Sequence, residues 1–564
     1  MKRFLRISYL ILSLQLLFAA SSDPVFGKNG MVVSTSRQAS EAGIEILKKG
    51  GNAVDAAVAV GFALAVTSSG NGNIGGGGFM VGAMVNGSNF TIDHREKAPA
   101  SAHRNMFIND SGNVIPEMSL SSRSASGVPG TVDGLIKALV DHGSGKISLR
   151  QALAPAIKLA EKGFLLSHYE AQRFNYYKEF FKKNKAAAAI FNRKDGIPWE
   201  KGHKFIQSDL AKTLKRIAKH GRDGFYTGHI ADLIVAEMKR GNGLINHEDL
   251  KNYSSVYRDP VSGIYKGYEL LSMGPPSSGG TLLINMLNML EYFPLDSSGW
   301  NSSDYVHLLT EVERRAYADR AEHMGDPDFW NVPVEMLISK DYAANRISDI
   351  DLKNATPSES ILAGKTSDYE SRETTHYSVV DKWGNAVSVT TTINLSYGSG
   401  HLVKGAGFFL NNEMDDFSSK PGVPNAFGLV GNEANAIQEG KRPLSSMTPT
   451  IVLKENKPFI IIGSPGGSTI ITTTMQVILN IIEYEMDIKE AVDSPRFHSQ
   501  WFPDVIMTEP RGLAKDVVNN LKARGHNLIP YKWGYIGEAN GIMITEHGYY
   551  GGGDNRGETS AVGY

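Results

Sequence analysis

The segment Thr374–Asn394, TTHYSVVDKWGNAVSVTTTIN, limits what the rest of the chain can build around it. Two alternating runs flank Lys382-Trp383-Gly384, and the glycine supplies the left-handed residue that a three-residue hairpin loop requires. With that loop, paired positions sum to 766, so Thr374 lies opposite Thr392. Directly opposed side chains have Cβ atoms about 4.5–5.5 Å apart. Tyr377, Val379, Val387 and Val389 then share one face, which reads as core. Thr374, His376, Ser378, Ser388, Thr390, Thr392 and Asn394 share the other. A row of hydroxyls suits a solvated sheet surface as well as a reactive one, and a two-residue loop would slip the register by one. Alternation alone leaves these open.

The rest of the chain supplies layers for such a hairpin. Ser40–Val66, Leu149–Gly163 and Ser303–Glu322 space their apolar residues by three and four, as helices do. From His376 onward come short β-branched runs: YSVV, AVSVTTTI, TIVL, FIIIG, DVIMTE and GIMITE. Between the two halves, Asn354–Glu373 is polar and reads as a mobile surface linker. Helices outside and strands inside predict a layered α+β sandwich.

Composition narrows the chemistry. With no cysteine among 564 residues, disulfides, iron–sulfur clusters, zinc fingers and thiol nucleophiles are excluded. The balance of 58 basic against 59 acidic residues argues against nucleic acid as a partner. Residues 1–22 combine Lys2, Arg3 and Arg6 with a short apolar run and small residues, which reads as an export signal and predicts a periplasmic protein. No later stretch is long and apolar enough to span a bilayer.

Familiar active-site motifs fail. Gly70-Asn-Gly72-Asn-Ile-Gly75 has dinucleotide-loop spacing, but a helical run precedes it and a strand-like run follows, which is the wrong order. It reads instead as a tight turn where backbones approach closely. There is no Walker A loop, GxSxG elbow or HExxH, and the histidines show no ligand spacing. Thr374, at the join of linker and strand, offers another route. Cutting the chain before it would free an α-amino group of pKa about 7.7–8.0, a base attached to its own nucleophile. The Thr392 hydroxyl could then orient that of Thr374.

At these residues the chain resembles the γ-glutamyltransferase (γ-glutamyltranspeptidase) family of the N-terminal nucleophile hydrolase superfamily. The likeness runs from about Asp23 to Tyr564 through IGGGGFM (74–80), DHREKAP (93–99), GVPGTVDGL (127–135), PPSSGGTLL (275–283), YADRAEHMGDPDFW (317–330), TTHYSV (374–379), NNEMDDFS (411–418), RPLSSMTPT (442–450) and GSPGGS (463–468). The resemblance implies a four-layer αββα sandwich and a precursor that cuts itself between Glu373 and Thr374. Residues 23–373 and 374–564 would remain together as a large and a small subunit sharing one interleaved core. It implies γ-glutamyl transfer from glutathione and related compounds to water, amino acids or peptides, through an acyl-enzyme on Thr374, with no cofactor and no metal. Arg95, Ser445 and Ser446 would hold the substrate α-carboxylate. Asn394, Glu413 and Asp416 would hold the α-ammonium, and Gly466 and Gly467 would form the oxyanion hole.

Three departures stand out. Phe427, in the lid-like segment Pro421–Ala436, takes a place where tyrosine is common in the family and removes a hydrogen bond to Asn394, which implies a looser lid. Glu373 stands where glutamine is frequent, and Thr469 where arginine is. Two other readings remain at this point: a related acylase acting on glutaryl-cephalosporin or poly-γ-glutamate amides, and an exported solute-binding protein without catalysis.

Overall fold

The hairpin forms in the predicted register. Thr375 pairs with Thr391 and Val380 with Ala386, and Gly384 takes φ +91° in the loop. Asp381 closes that loop, its Oδ1 accepting from the backbone N–H groups of Trp383 and Asn385. The computed structural model describes residues 21–362, 374–420, 422–426 and 428–564. All but the last two residues of the expected export signal over 1–22, and Glu373 and Phe427, therefore lie outside the described residues.

The hairpin strands Thr375–Val380 and Ala386–Thr392 occupy the middle of a seven-stranded antiparallel sheet. Met31–Ser34 and then Ser560–Gly563 lie beyond one side of them. Gly77–Ala83, Asn89–Asp93 and Val256–Arg258 lie beyond the other. A second seven-stranded sheet runs in the order Val25–Gly27, Gly548–Gly553, Asn540–Thr545, Lys457–Ile462, Thr450–Lys454, Tyr268–Ser272 and Val261–Tyr265. Both sheets mix strands from before and after Thr374, so neither part of the sequence could bury its strands alone.

Three apolar clusters define the layers. Tyr377, Val379, Val387 and Val389 pack with the helices Arg37–Lys48 and Ala53–Thr67. Phe79, Val81, Leu271, Ile451 and Ile461 fill the space between the sheets. The helices Gly279–Leu290, Ser303–His323 and Thr469–Ile482 cover the second sheet. The result is the αββα sandwich. The predicted helix over 40–66 is broken at Gly50 and Gly51, with Asn52 capping the second half through a reciprocal bond with Asp55. DVIMTE forms a strand, Ile506–Thr508, but in a small separate sheet.

One open alternative is settled and one expectation is corrected. The hydroxyl-bearing face of the hairpin is not solvated. It lies against the second sheet, where Ser378 and Ser388 donate to the backbone carbonyls of Asn540 and Ile462 at 3.0 and 3.1 Å. Each hydroxyl satisfies a backbone acceptor, which makes burial tolerable. The linker is also anchored along its first part. The Ser358 N–H donates to Asp504, the Trp501 indole donates to the Ser358 carbonyl, and Ile361 is buried. Residues 363–373 lie outside the described residues.

Candidate active site

Thr374 is 4% exposed and stands one residue before its strand. Its carbonyl accepts from Asn71 Nδ2 at 3.1 Å, and the next hydroxyl, that of Thr375, bonds that of Thr35 at 2.7 Å. Asn73 Nδ2 donates to the Thr392 carbonyl at 2.9 Å, while its Oδ1 accepts from the Gly76 N–H and the Thr131 hydroxyl. The glycines of this turn are needed for proximity: a Cβ on Gly76 would come within 2.0 Å of the Thr392 carbonyl oxygen. The turn reading of Gly70–Gly75 therefore holds, and its asparagines fasten the end of the hairpin.

A narrow pocket brings together Arg95, Thr374, Thr392, Asn394, Glu413, Asp416, Ser445, Ser446 and Gly467. Gly466 opens instead onto a neighbouring cavity, which Thr374 also lines, with Asn71, Tyr169, Pro465, Gly537, Glu538 and Arg556. Thr374 is thus shared by two cavities.

The charged groups of the first cavity satisfy one another. Arg95 Nη1 donates to Glu413, and Nη2 donates to Asp416 at 2.5 Å. Its Nε and Nη2 reach the carbonyls of Pro443 and Leu444 at 3.2 and 3.3 Å, next to the serine pair. Burial opposes the Arg95 charge, but Glu413 and Asp416 outweigh it and raise its pKa. Burial raises the carboxyls of Glu413 and Asp416, against the pull of Arg95. Behind them Glu96, also fully buried, is pushed up to about 7 by burial. Arg95 therefore does not await an anion alone. It is already paired with the acids that would take an ammonium, so a zwitterion entering here exchanges its two charges for that ion pair.

Two acceptors face inward unused. Asn394 sits in the left-handed region at φ +70°, with its N–H on Thr392 Oγ1 at 2.8 Å and its Nδ2 on the Asn412 carbonyl at 2.9 Å. Among the described residues its Oδ1 is buried without a hydrogen-bond partner, as is Glu413 Oε2, although the Glu413 carboxyl also lies against those of Glu96 and Asp416. Each costs about 1–3 kcal/mol unless a donor arrives, and an ammonium supplies three.

Gly466 (φ +139°) and Gly467 (φ +56°) lead into the helix Thr469–Ile482. The N-terminus of that helix carries positive partial charge, the environment an oxyanion needs, while its first N–H groups, of Thr469 and Ile470, fold back onto the carbonyls of Gly466 and Gly467. Thr469 keeps the turn closed, its hydroxyl donating to the Gly466 carbonyl at 2.9 Å. His376, two residues after Thr374, bonds Thr390 and Ser378 at 2.9 and 3.1 Å. Burial lowers its pKa to about 3, which makes it a poor base.

The sequence reading missed Arg320, Leu429, Met447 and Ile470, which also line the first cavity. Arg320 lies inside YADRAEHMGDPDFW, so its motif was visible while its role was not. It also missed a histidine cluster that folding assembles. His307, Glu311 and His526 bring potential ligand atoms within 4.8 Å of one another, but Arg314 and Arg315 occupy the Glu311 carboxylate. Among the described residues, no helix is long and apolar enough to cross a membrane.

The family model described as Gamma-glutamyltranspeptidase matches residues 39–564. The chain is 48% identical to a glutathione hydrolase proenzyme of Escherichia coli (strain K12), over 94% of this chain and 91% of that one. It is 45% identical to a glutathione hydrolase proenzyme of Pseudomonas sp. (strain A14), over 97% and 96%. Among solved structures, a cephalosporin acylase from Bacillus halodurans superposes with TM-score 0.85 at 25% identity, covering 97% of this chain and 98% of that one.

Proposed function

Because the chain belongs to the gamma-glutamyltranspeptidase family, we propose that it hydrolyses glutathione and transfers γ-glutamyl groups after cutting itself before Thr374. The observation that carries this reading is the self-paired Arg95–Glu413–Asp416 set beside the unpartnered Asn394 Oδ1, in the cavity that Thr374 lines. It suits a head bearing both an ammonium and a carboxylate.

In the precursor the Thr374 hydroxyl attacks the carbonyl of Glu373, and water releases the resulting ester, leaving a free Thr374 amine. In turnover that amine takes the hydroxyl proton as Oγ attacks the γ-carbonyl of the substrate. The oxyanion is held by the N–H groups of Gly466 and Gly467. The carbon–nitrogen bond then breaks, and the proton leaves on the departing amine. Water or an acceptor amine attacks the acyl ester and restores Thr374. Arg95, Ser445 and Ser446 hold the α-carboxylate, while Asn394, Glu413 and Asp416 hold the α-ammonium. The neighbouring cavity with Glu538 and Tyr169 serves the departing amine and the amino-acid or peptide acceptor, because it meets the first cavity at Thr374. Residues 1–22 direct export to the periplasm and are removed.

A denaturing gel tests the cut. From 351 and 191 residues at the chain's mean residue mass, bands near 38 and 21 kDa are expected, and Thr374→Ala should leave one inactive band. An uncut wild type that still cleaves γ-glutamyl-p-nitroanilide would overturn the mechanism. Equal turnover of the glutaryl analogue, which lacks the ammonium, would favour the acylase reading.

A further inference from the structure

Among the described residues, Arg95, Arg314, Arg315, Arg442 and Arg496 are buried arginines, each with a carboxylate oxygen within 3.3 Å. Arg320 is buried too, at 4% exposure, and differs from them. Its Nε donates to Ser278 Oγ at 2.9 Å and its Nη2 to Ser446 Oγ at 3.3 Å, and no described carboxylate lies within ion-pair distance. Burial lowers its pKa to about 10, against the weaker pull of Tyr317 and Asp416. A buried cation without a counter-ion is costly. This one lines the cavity of Thr374.

The hydrogen bonds fix where its influence goes. A guanidinium only donates, so both serine oxygens must accept from it. Ser278 then donates its own proton to the Ser445 carbonyl at 2.8 Å. For the Ser446 hydroxyl no described acceptor is present, so its proton remains available to the cavity.

We propose that Arg320 is the second cation for the substrate α-carboxylate, a positioning residue that orients the Ser446 hydroxyl toward that group and supplies the charge that Arg95 shares with Glu413 and Asp416. This rests on the γ-glutamyl reading above. Arg95 alone faces two acids; with Arg320 the pocket carries two positive and two negative groups, and a zwitterion leaves that balance unchanged.

The test compares wild type, Arg320→Gln and Arg320→Lys on three p-nitroanilides: γ-glutamyl, glutaryl (no ammonium) and 4-aminobutyryl (no α-carboxylate). Slow substrates are read as competitive inhibitors. Arg320→Gln should lower kcat/KM about 10- to 100-fold for the two carboxylate-bearing compounds, mostly through KM, and change 4-aminobutyryl less than about 2-fold. Arg320→Lys should recover much of the loss. An equal fall on all three, or none on γ-glutamyl, would overturn the proposal. If Arg320→Gln fails to mature, the Lys variant still decides it: the ratio of γ-glutamyl to 4-aminobutyryl must fall. A wild type that does not prefer γ-glutamyl over glutaryl would instead overturn the head-group reading, and the glutaryl to 4-aminobutyryl ratio would still report on Arg320.

Discussion

The two cavities that meet at Thr374 handle charge differently. On one side, Arg95, Glu413 and Arg320 are fully or nearly fully buried, and Asp416 is only slightly open. On the other, Tyr169 is 44% exposed and Glu538 is half-buried, while the buried Arg556 side chain is already taken up by Glu509 and Asp554. Charges withdrawn from water interact strongly and in fixed geometry, while exposed ones are screened. Joined to the proposed function, that contrast predicts strict selection of the acyl group and looser selection of the acceptor.

Breaking the buried side should cost most. Arg95→Lys keeps the charge but cannot hold two acids and two carbonyls with one planar fork. A fall of about 10²–10³-fold in kcat/KM for γ-glutamyl-p-nitroanilide is expected, with maturation still visible on a gel. A fall under about 3-fold would remove the argument from buried geometry.

Glu96 gives a pH-dependent test of the same side. In the folded protein its carboxyl keeps a proton up to about pH 7, against an ordinary value of 4.5. Its contribution therefore favours folding at low pH and is lost as pH rises through that window. Glu96→Gln should remove the loss, so the variant gains on wild type by about 1–3 kcal/mol between pH 5 and pH 8 in paired unfolding curves. A constant difference across that range would contradict it.

On the exposed side effects shrink. Glu538→Gln should raise the KM of an amino-acid acceptor about 3- to 10-fold and change acceptor-free hydrolysis less than about 2-fold. Equal effects on both would erase the contrast between the cavities. Smallest is the lid: Phe427→Tyr should shift the ratio of transfer to hydrolysis by about 1.5- to 3-fold. Identical rates would dispose of the looser-lid idea.

Part of the site was legible because it is local, and the rest through the family motifs. The loop Lys382–Gly384 sets the hairpin register, and the register sets Thr374 across from Thr392. The motif residues Arg95, Asn394, Glu413, Asp416, Ser445 and Ser446 all reach one cavity. Other features were hidden because they depend on distant partners. Whether the hydroxyl face met water or a second sheet depended on strands some 75 to 160 residues further along the chain. The resting pairing of Arg95 with Glu413 and Asp416 joins positions more than 300 residues apart.

The sequence by itself determined the hairpin and its register, because turn chemistry and alternation act between neighbours, and its family motifs named Thr374 as the expected nucleophile and the charged groups as the expected recognition set. Tertiary structure decided how those charges stand before substrate arrives: among the described residues, Arg95 is shared between two acids, Arg320 has none, and Asn394 Oδ1 has no donor. Burial sets those states, and burial is a property of the assembled layers.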